Sequence, residues 1–230
     1  MNLLQLVNKA REKCSVSGGA LTTVQGLTFG TESYRFLGWV VDEWIKIQEE
    51  HEDWLFLRQD FSFNTVAGQN NYVASALAPS PLTNFSRWKK DSFRAYRASV
   101  GTSDEQLINF QPWDSFRNLY LYGVMRTTQQ RPVLFTVAPN QSLYLGAVPD
   151  DIYTVNGEYY TGPVTLSGDT DIPSMPDRYH MLLVFRVMMR YGAERGASEV
   201  YQEGENEAST WMHRLEVNQL PIPTFGAPLA

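Results

Sequence analysis

Trp54-Leu55-Phe56-Leu57-Arg58-Gln59-Asp60-Phe61-Ser62-Phe63 is the stretch in which the chain changes its period. Leu55, Leu57, Gln59, Phe61 and Phe63 alternate around polar or charged neighbours, the two-residue repeat of a half-buried strand. Upstream the repeat is helical. Phe36, Leu37, Val40, Val41, Trp44 and Ile47 recur at three and four residues, which predicts a helix from Thr31 to about Glu50 with Trp44 and Trp54 as its anchors. Further upstream, Leu3, Leu6, Val7, Ala10 and Cys14 form one apolar stripe of a short amphipathic helix that Gly18 and Gly19 end.

Downstream of Phe63, Thr65 to Tyr72 holds the Gly and Asn residues of a hairpin turn. Strands are predicted at 93–99, 120–127, 133–137, 142–147, 153–160 and 164–166, with Pro139-Asn140 and Asn156-Gly157 marking turns between or inside them. Residues 112–118 read as a helical turn on the rim. The helical period returns after Ser174-Met175-Pro176-Asp177, where Ser174 suits an N-cap, Pro176 the first turn and Asp177 the helix dipole. Tyr179 to Gly196 is apolar nearly all round, as in a buried helix. Gly192, Ala193, Gly196 and Ala197 leave room there for a close neighbour. Tyr201, Ala208, Trp211, Met212 and Leu215 define a fourth helix with an acidic outer face. The residues after Leu220 are rich in proline and read as an extended, polyproline-like tail.

Two helices, a β block and two helices give an α+β fold class. The arrangement expected is an antiparallel bundle of about four helices carrying an inserted antiparallel β-sandwich or barrel-like domain and an extended C-terminal tail. The segments are 1–54, first part of the bundle; 55–172, the β domain; 173–219, second part of the bundle; and 220–230, the tail.

Composition excludes several classes. The chain has 230 residues, 43% hydrophobic and 13% aromatic, enough for a packed core and too apolar for general disorder. Nineteen basic against 25 acidic residues give a net charge of −6. Residues 1–56 hold five basic and eight acidic side chains, 57–172 nine and ten, and 173–230 five and seven, so no part is a basic nucleic-acid module. The single cysteine, Cys14, excludes an internal disulfide and four-cysteine zinc sites. On the apolar stripe it reads as an inert core thiol. Polar residues interrupt the N-terminal apolar run, so no cleaved signal is expected, and the apolar-dense run 181–189 is about half the roughly 20 residues of a membrane span. The expectation is a soluble protein.

None of the five lysines follows a glycine, so a phosphate-binding loop is absent. His51-Glu52-Asp53-Trp54 begins like a zinc-protease helix, but the position of its second histidine is Leu55. The other histidines, His180 and His213, lie on separate predicted helices, and no nucleophile elbow accompanies them. Asp150, Asp151, Asp169 and Asp171 fall in predicted β-block loops, where they read either as solvated turns or as a calcium or glycosidase pair. Arg87, Lys89, Lys90, Arg94 and Arg97 interleave with Trp88, Phe93 and Tyr96. The pattern suits the charged face of an edge strand, or a DNA- or partner-facing basic patch. Trp88 and Trp113 are candidates for a sugar-stacking platform, against the alternative of core packing.

Four stretches carry a resemblance. They are Leu3-Leu4-Gln5-Leu6-Val7-Asn8-Lys9-Ala10-Arg11, His51-Glu52-Asp53-Trp54-Leu55-Phe56-Leu57-Arg58, Ala67-Gly68-Gln69-Asn70-Asn71-Tyr72 and Ile172-Pro173-Ser174-Met175-Pro176-Asp177-Arg178-Tyr179-His180. Taken in order over nearly the whole chain, they resemble the podovirus-type head-to-tail adaptors of tailed bacteriophages. The resemblance implies a structural protein without catalytic residues, cofactor or metal. It implies a ring, of twelve copies, between the portal protein and a tail or nozzle protein at the head-tail junction of the virion. Genomic DNA would pass through without sequence specificity, no membrane would be involved, and assembly would occur in the host bacterial cytoplasm. Leu220, Pro221, Ile222, Pro223 and Phe225 are then the candidate portal-binding residues. The alternative is a virion-associated β-domain protein that binds or hydrolyses carbohydrate.

Overall fold

A computed structural model describes residues 1–221. Among these, five α-helices occur in an α+β chain: α1 (Leu3–Lys13), α2 (Glu32–Glu50), α3 (Trp113–Tyr120), α4 (Met181–Arg195) and α5 (Ser198–Gln219). Strands β1 (Arg58–Asn64), β2 (Asn71–Tyr72), β3 (Phe85–Arg97), β4 (Gln106–Leu107) and β5 (Asn109–Phe110) precede or flank α3. β6 (Gln129–Gln130), β7 (Leu134–Val137), β8 (Leu143–Gly146), β9 (Val148–Pro149) and β10 (Tyr153–Thr161) follow it. The chain divides into two compact units, one made of Met1–Leu57 with the chain from Pro163 onward, the other of Arg58–Gly162.

In the helical unit, α1 starts at a capping box: Asn2 Oδ1 accepts from Gln5 N and Gln5 Oε1 accepts from Asn2 N. Its apolar stripe, Leu3, Leu6, Val7 and Ala10, is buried completely. Thr31 caps α2 by accepting from Tyr34 N, and Phe36, Val40, Trp44 and Ile47 form its buried face. Both α1 and α2 pack on α4, whose middle (Leu182, Leu183, Val184, Val187, Met188) is inaccessible to solvent, as its all-round apolar sequence requires. α4 ends at Gly196, and α5 returns along it. A Cβ placed on Gly192 would stand 2.6 Å from Tyr201 N, and one on Gly204 would stand 2.8 Å from Phe185 O. The two backbones approach that closely because both positions lack a side chain. Gly192→Val is therefore expected to force α4 and α5 apart at a cost of about 1–3 kcal/mol or more, read as a lower urea midpoint. An unchanged midpoint would mean that the helices slide without loss.

The β unit contains an open sheet ordered β1-β10-β3-β4, wholly antiparallel, and a second ordered β2-β8-β7-β5. In the second sheet β5 pairs with β7 in parallel, and a separate parallel pair joins β6 to β9. Neither sheet closes into a barrel, and these parallel pairs depart from the all-antiparallel expectation. Residues of both sheets share one hydrophobic cluster: Phe61, Phe63, Trp88, Phe93 and Val155 from the first, Tyr72, Phe135, Leu143 and Leu145 from the second. The Phe93 and Phe135 rings stack across it at 4.0 Å.

Several local expectations change. Leu55–Leu57 forms a 3-10 turn, and the strand starts at Arg58. The turn 65–72 does not close a hairpin, because β1 and β2 belong to different sheets. The strand expected at 120–127 is instead the end of α3 and a 3-10 turn, Val124–Arg126, with Val124 82% exposed. β-forming residues make no strand without a partner edge. Residues 164–166 form no strand either, since the Gln48 side-chain amide takes both backbone bonds of Val164, at 2.9 and 3.1 Å. Asn156-Gly157 sits inside β10 at a register shift against β3. Ser174 caps nothing: a 3-10 turn, Asp177–Tyr179, follows Pro176 and leads into α4.

Candidate functional site

The most built feature of the helical unit is a seam of ion pairs between α2 and α4, which run antiparallel. Arg195 meets Glu32 at 2.9 Å, Arg35 meets Glu194 at 2.7 Å, Arg190 meets Asp42 at 2.9 Å and Arg186 meets Glu50 at 2.6 Å. Most of these are half exposed and screened by solvent. Glu43 is different, with a side chain only 7% exposed. It receives Lys46 at 2.9 Å, Arg190 at 3.3 Å and Arg186 at 3.8 Å. Sequence reading missed this cluster, although its signal was present: Glu43 stands next to Trp44 on the apolar stripe of α2, and Arg186 interrupts the apolar run of α4.

The same elements flank a groove of about 730 Å³ between α2 and α5, with α4 as its floor. Met189, Ala193, Ala208 and Met212 supply apolar surface, and Glu43, Lys46, Glu205 and Glu216 rim it. At one end, His51 Nε2 lies 3.0 Å from Glu216 and His213 Nδ1 lies 4.0 Å from it, so two of the three histidines share one carboxylate. Among the described residues, no group of three or more His, Cys, Asp or Glu side chains is arranged to hold a metal ion.

His180 is fully buried, its Nε2 3.0 Å from Met175 O and its Nδ1 2.6 Å from the Met1 amino group, with Asp177 at 3.6 Å. Burial pushes its imidazole below the ordinary value, with the Met1 ammonium acting in the same direction and Met175 O and Asp177 opposing. The folded state therefore binds this proton less readily than the unfolded chain. The stability that neutral His180 contributes is complete above about pH 6.5 and is lost as pH falls from there toward the folded value. Urea midpoints should drop between pH 7.5 and 5.5, and His180→Gln should lose that part of the slope. A flat profile would contradict the burial argument.

The four aspartates are divided between the units. Asp150 accepts from the Tyr153 hydroxyl at 2.7 Å, and Asp151 Oδ2 lies 3.2 Å from Arg97. In the helical unit, Asp169 accepts from Val24 N and the Thr23 hydroxyl, and its carbonyl accepts from Leu4 N. Asp171 accepts from the Ser167 and Gly168 amides, which hold its carboxyl below the usual range, and its carbonyl accepts from Leu3 N. Residues 163–172 thus tie down the N-terminus of α1. Their sequence position beside β10 does not reveal this.

The basic residues of β3 all find partners. Arg87 lies over the Tyr160 ring at 4.1 Å, and Lys90 over Phe110 at 4.4 Å. Lys89 contacts Asp91 at 2.7 Å and Glu158 at 3.5 Å; burial alone would lower its pKa, but these two carboxylates outweigh it and raise it. Arg94 faces Glu105 at 3.8 Å. β3 lies between β10 and β4, but β4 pairs only with Arg94 and Ala95, so Arg87 to Lys89 are paired on the β10 side alone, as the edge-strand reading expects. Trp88 is 2% exposed and its Nε1 donates to Gln141 O at 2.9 Å, so it is a core residue and no sugar platform. Trp113 is half-buried against Tyr144. Cys14 is buried, and its thiol is pushed up to about 12, mainly by burial, consistent with an inert core thiol. No helix among the described residues is long and apolar enough to cross a membrane. Leu220 and Pro221 follow α5, whereas Ile222, Pro223 and Phe225 lie outside the described residues.

The chain belongs to the SU10 adaptor protein family, whose model matches residues 1–218. No curated protein matches it. This agrees with the resemblance to phage head-to-tail adaptors read from the sequence. The family's role is structural; membership implies a place at the virion head-tail junction and association with portal and tail proteins.

Proposed function

We propose that the protein forms a closed ring of twelve copies that joins the portal to the tail and lines the DNA exit channel. The observation carrying this reading is the family match, which extends through both the helical and the β residues. In this reading the four long helices act as an antiparallel bundle that meets its neighbours. The two sheets act as an inserted sandwich turned outward, and residues 220–230 as an extended tail. A ring needs two different complementary faces on each copy, and the outer faces of α2 and α5 are assigned to them. Leu220, Pro221, Ile222, Pro223 and Phe225 dock on the portal as an extended segment. Arg87, Lys89, Lys90, Arg94 and Arg97 are assigned to a partner-facing rather than a DNA-facing patch, because Lys89, Arg94 and Arg97 already face carboxylates within the chain and have less charge to offer phosphates. A net charge of −6 favours a channel on which DNA slides, since few phosphate contacts can form. Assembly takes place in the host cytoplasm.

Mass photometry of the protein alone and mixed with portal rings from the same genome tests the reading. The expected result is a defined mass increase of many subunits on the portal. Absence of association over a range of salt would overturn it.

A further inference from the structure

We propose that a cavity beside α1 binds a small oxyanion of the phosphate class against Arg11. The argument starts from a buried charge that no carboxylate balances. Arg11 is the most buried arginine of the described residues, 8% exposed. Its Nη1 donates to Gly19 O at 3.1 Å, while its Nε is buried with no hydrogen-bond partner. Arg35, Arg186, Arg190 and Arg195 of the same unit each face a carboxylate. Arg11 faces none among the described residues, and the neighbouring Glu12 is held by Lys9 at 3.0 Å. Burying a guanidinium unpaired is costly, so such a group calls for an anionic partner. Arg11 lies in the last turn of α1, whose dipole offsets part of the cost but gives Nε no acceptor.

The cavity lies where the chain after α1 folds back over the helix. Asn8 Nδ2 donates to Leu21 O at 2.9 Å, and Leu21 N donates to Asn8 Oδ1 at 2.7 Å. Gly18, at φ +104°, belongs to the reversal, and a Cβ there would stand 3.6 Å from Arg11 Nη2. The guanidinium thus reaches the wall of a cavity of about 820 Å³ that Asn8, Ser15, Gly18, Gly19 and Ala20 line with it. At about 30 Å³ per water, that volume takes a tetrahedral anion together with part of its hydration. The charge of the wall has the right sign. Lys9 and Arg11 are cationic, and Glu12, 67% exposed and paired with Lys9, is the one carboxylate of the lining.

Phosphate suits these donors. A planar guanidinium offers parallel N–H groups, the Ser15 hydroxyl and the backbone amides of Gly18, Gly19 and Ala20 add neutral ones, and four oxygens can accept from several at once. A nucleic-acid duplex is too wide to bring a backbone phosphate to a side chain this buried, so a free ion is the ligand that fits. Bound there, the ion ties the segment 15–21 to the end of α1 and stabilises the helical unit by mass action.

Calorimetric titration of the full chain with inorganic phosphate, at constant ionic strength in a chloride buffer, tests the inference. The expected result is saturable binding of one phosphate per chain, with sulfate competing. Arg11→Lys keeps the charge but loses the planar fork and should weaken binding about tenfold. Lys9→Gln, at a side chain 36% exposed, leaves the core intact and should weaken it several-fold. Lys13→Gln removes the same charge from the same helix outside the lining and should leave the affinity nearly unchanged. No saturable binding, or binding that both Arg11→Lys and Lys9→Gln leave intact, would overturn the proposal. If Arg11→Lys does not fold, Lys9→Gln decides alone. Phosphate affinity that falls as protein concentration rises would give the cavity to an acidic side chain of a second copy and overturn the small-ion reading. Because no portal takes part, these outcomes leave the adaptor reading untouched.

Discussion

Glu43→Ala is expected to destabilise the helical unit by about 3 kcal/mol, the lower end of what removing one partner of a buried ion pair costs. The carboxylate is 7% exposed and sits among Lys46, Arg190 and Arg186. Its loss takes a carboxylate from Arg186, whose side chain is only 15% exposed, whereas Arg190 and Lys46 reach water at 32% and 52%. The effect stays at the lower end because Arg186 keeps Glu50 at 2.6 Å and Arg190 keeps Asp42 at 2.9 Å. Equilibrium urea unfolding gives the number. A double-mutant cycle with Arg190→Met separates the pair's coupling from the desolvation of the survivor. A loss below about 1 kcal/mol would mean that the seam behaves like ordinary surface pairs.

Trp88→Ala should destabilise the β unit by about 3–5 kcal/mol, as truncation of a buried large aromatic does. The indole is 2% exposed and packs against Phe61, Phe85 and Phe93, with ring centroids 5.0, 4.6 and 5.7 Å away. Truncation also leaves Gln141 O without its 2.9 Å donor. The same substitution decides between two uses of a tryptophan. A core residue lowers the melting temperature, whereas a sugar platform leaves the melt unchanged and abolishes glycan affinity. A folded variant with an unaltered melt would return Trp88 to the surface reading.

The distinction explains which readings of the chain held. α1, α2, α4 and α5 were legible because each is long enough for its 3.6-residue period to repeat, and burial on one stripe is a local property of the sequence. Gly192 was legible as a place for close approach because a small residue in an apolar helix has few other uses. Its counterpart Gly204 was not, since it sits among glutamates in α5 and only the crossing with α4 gives it a role. The short strands were read less well. Leu121, Tyr122 and Val124 have strand-forming side chains but no strand beside them, while Arg87 to Lys90, charged and unpromising, lie in a strand because β10 pairs along them.

The functional residues divide in the same way. The chain's membership in an adaptor family was visible as an ordered set of loose motifs, because the order of elements is written linearly. The burial of Trp88, the separation of Asp150 from Asp169, the partners of the β3 cations and the three cations around Glu43 were not. Each depends on residues far apart in the chain, and sequence periodicity carries no information about which distant side chain faces another. By itself the sequence determined where helices and strands begin to alternate and which faces turn inward. Tertiary structure alone decided which charges meet and which aromatic rings lie in the core, because those contacts are chosen by packing between elements rather than within them.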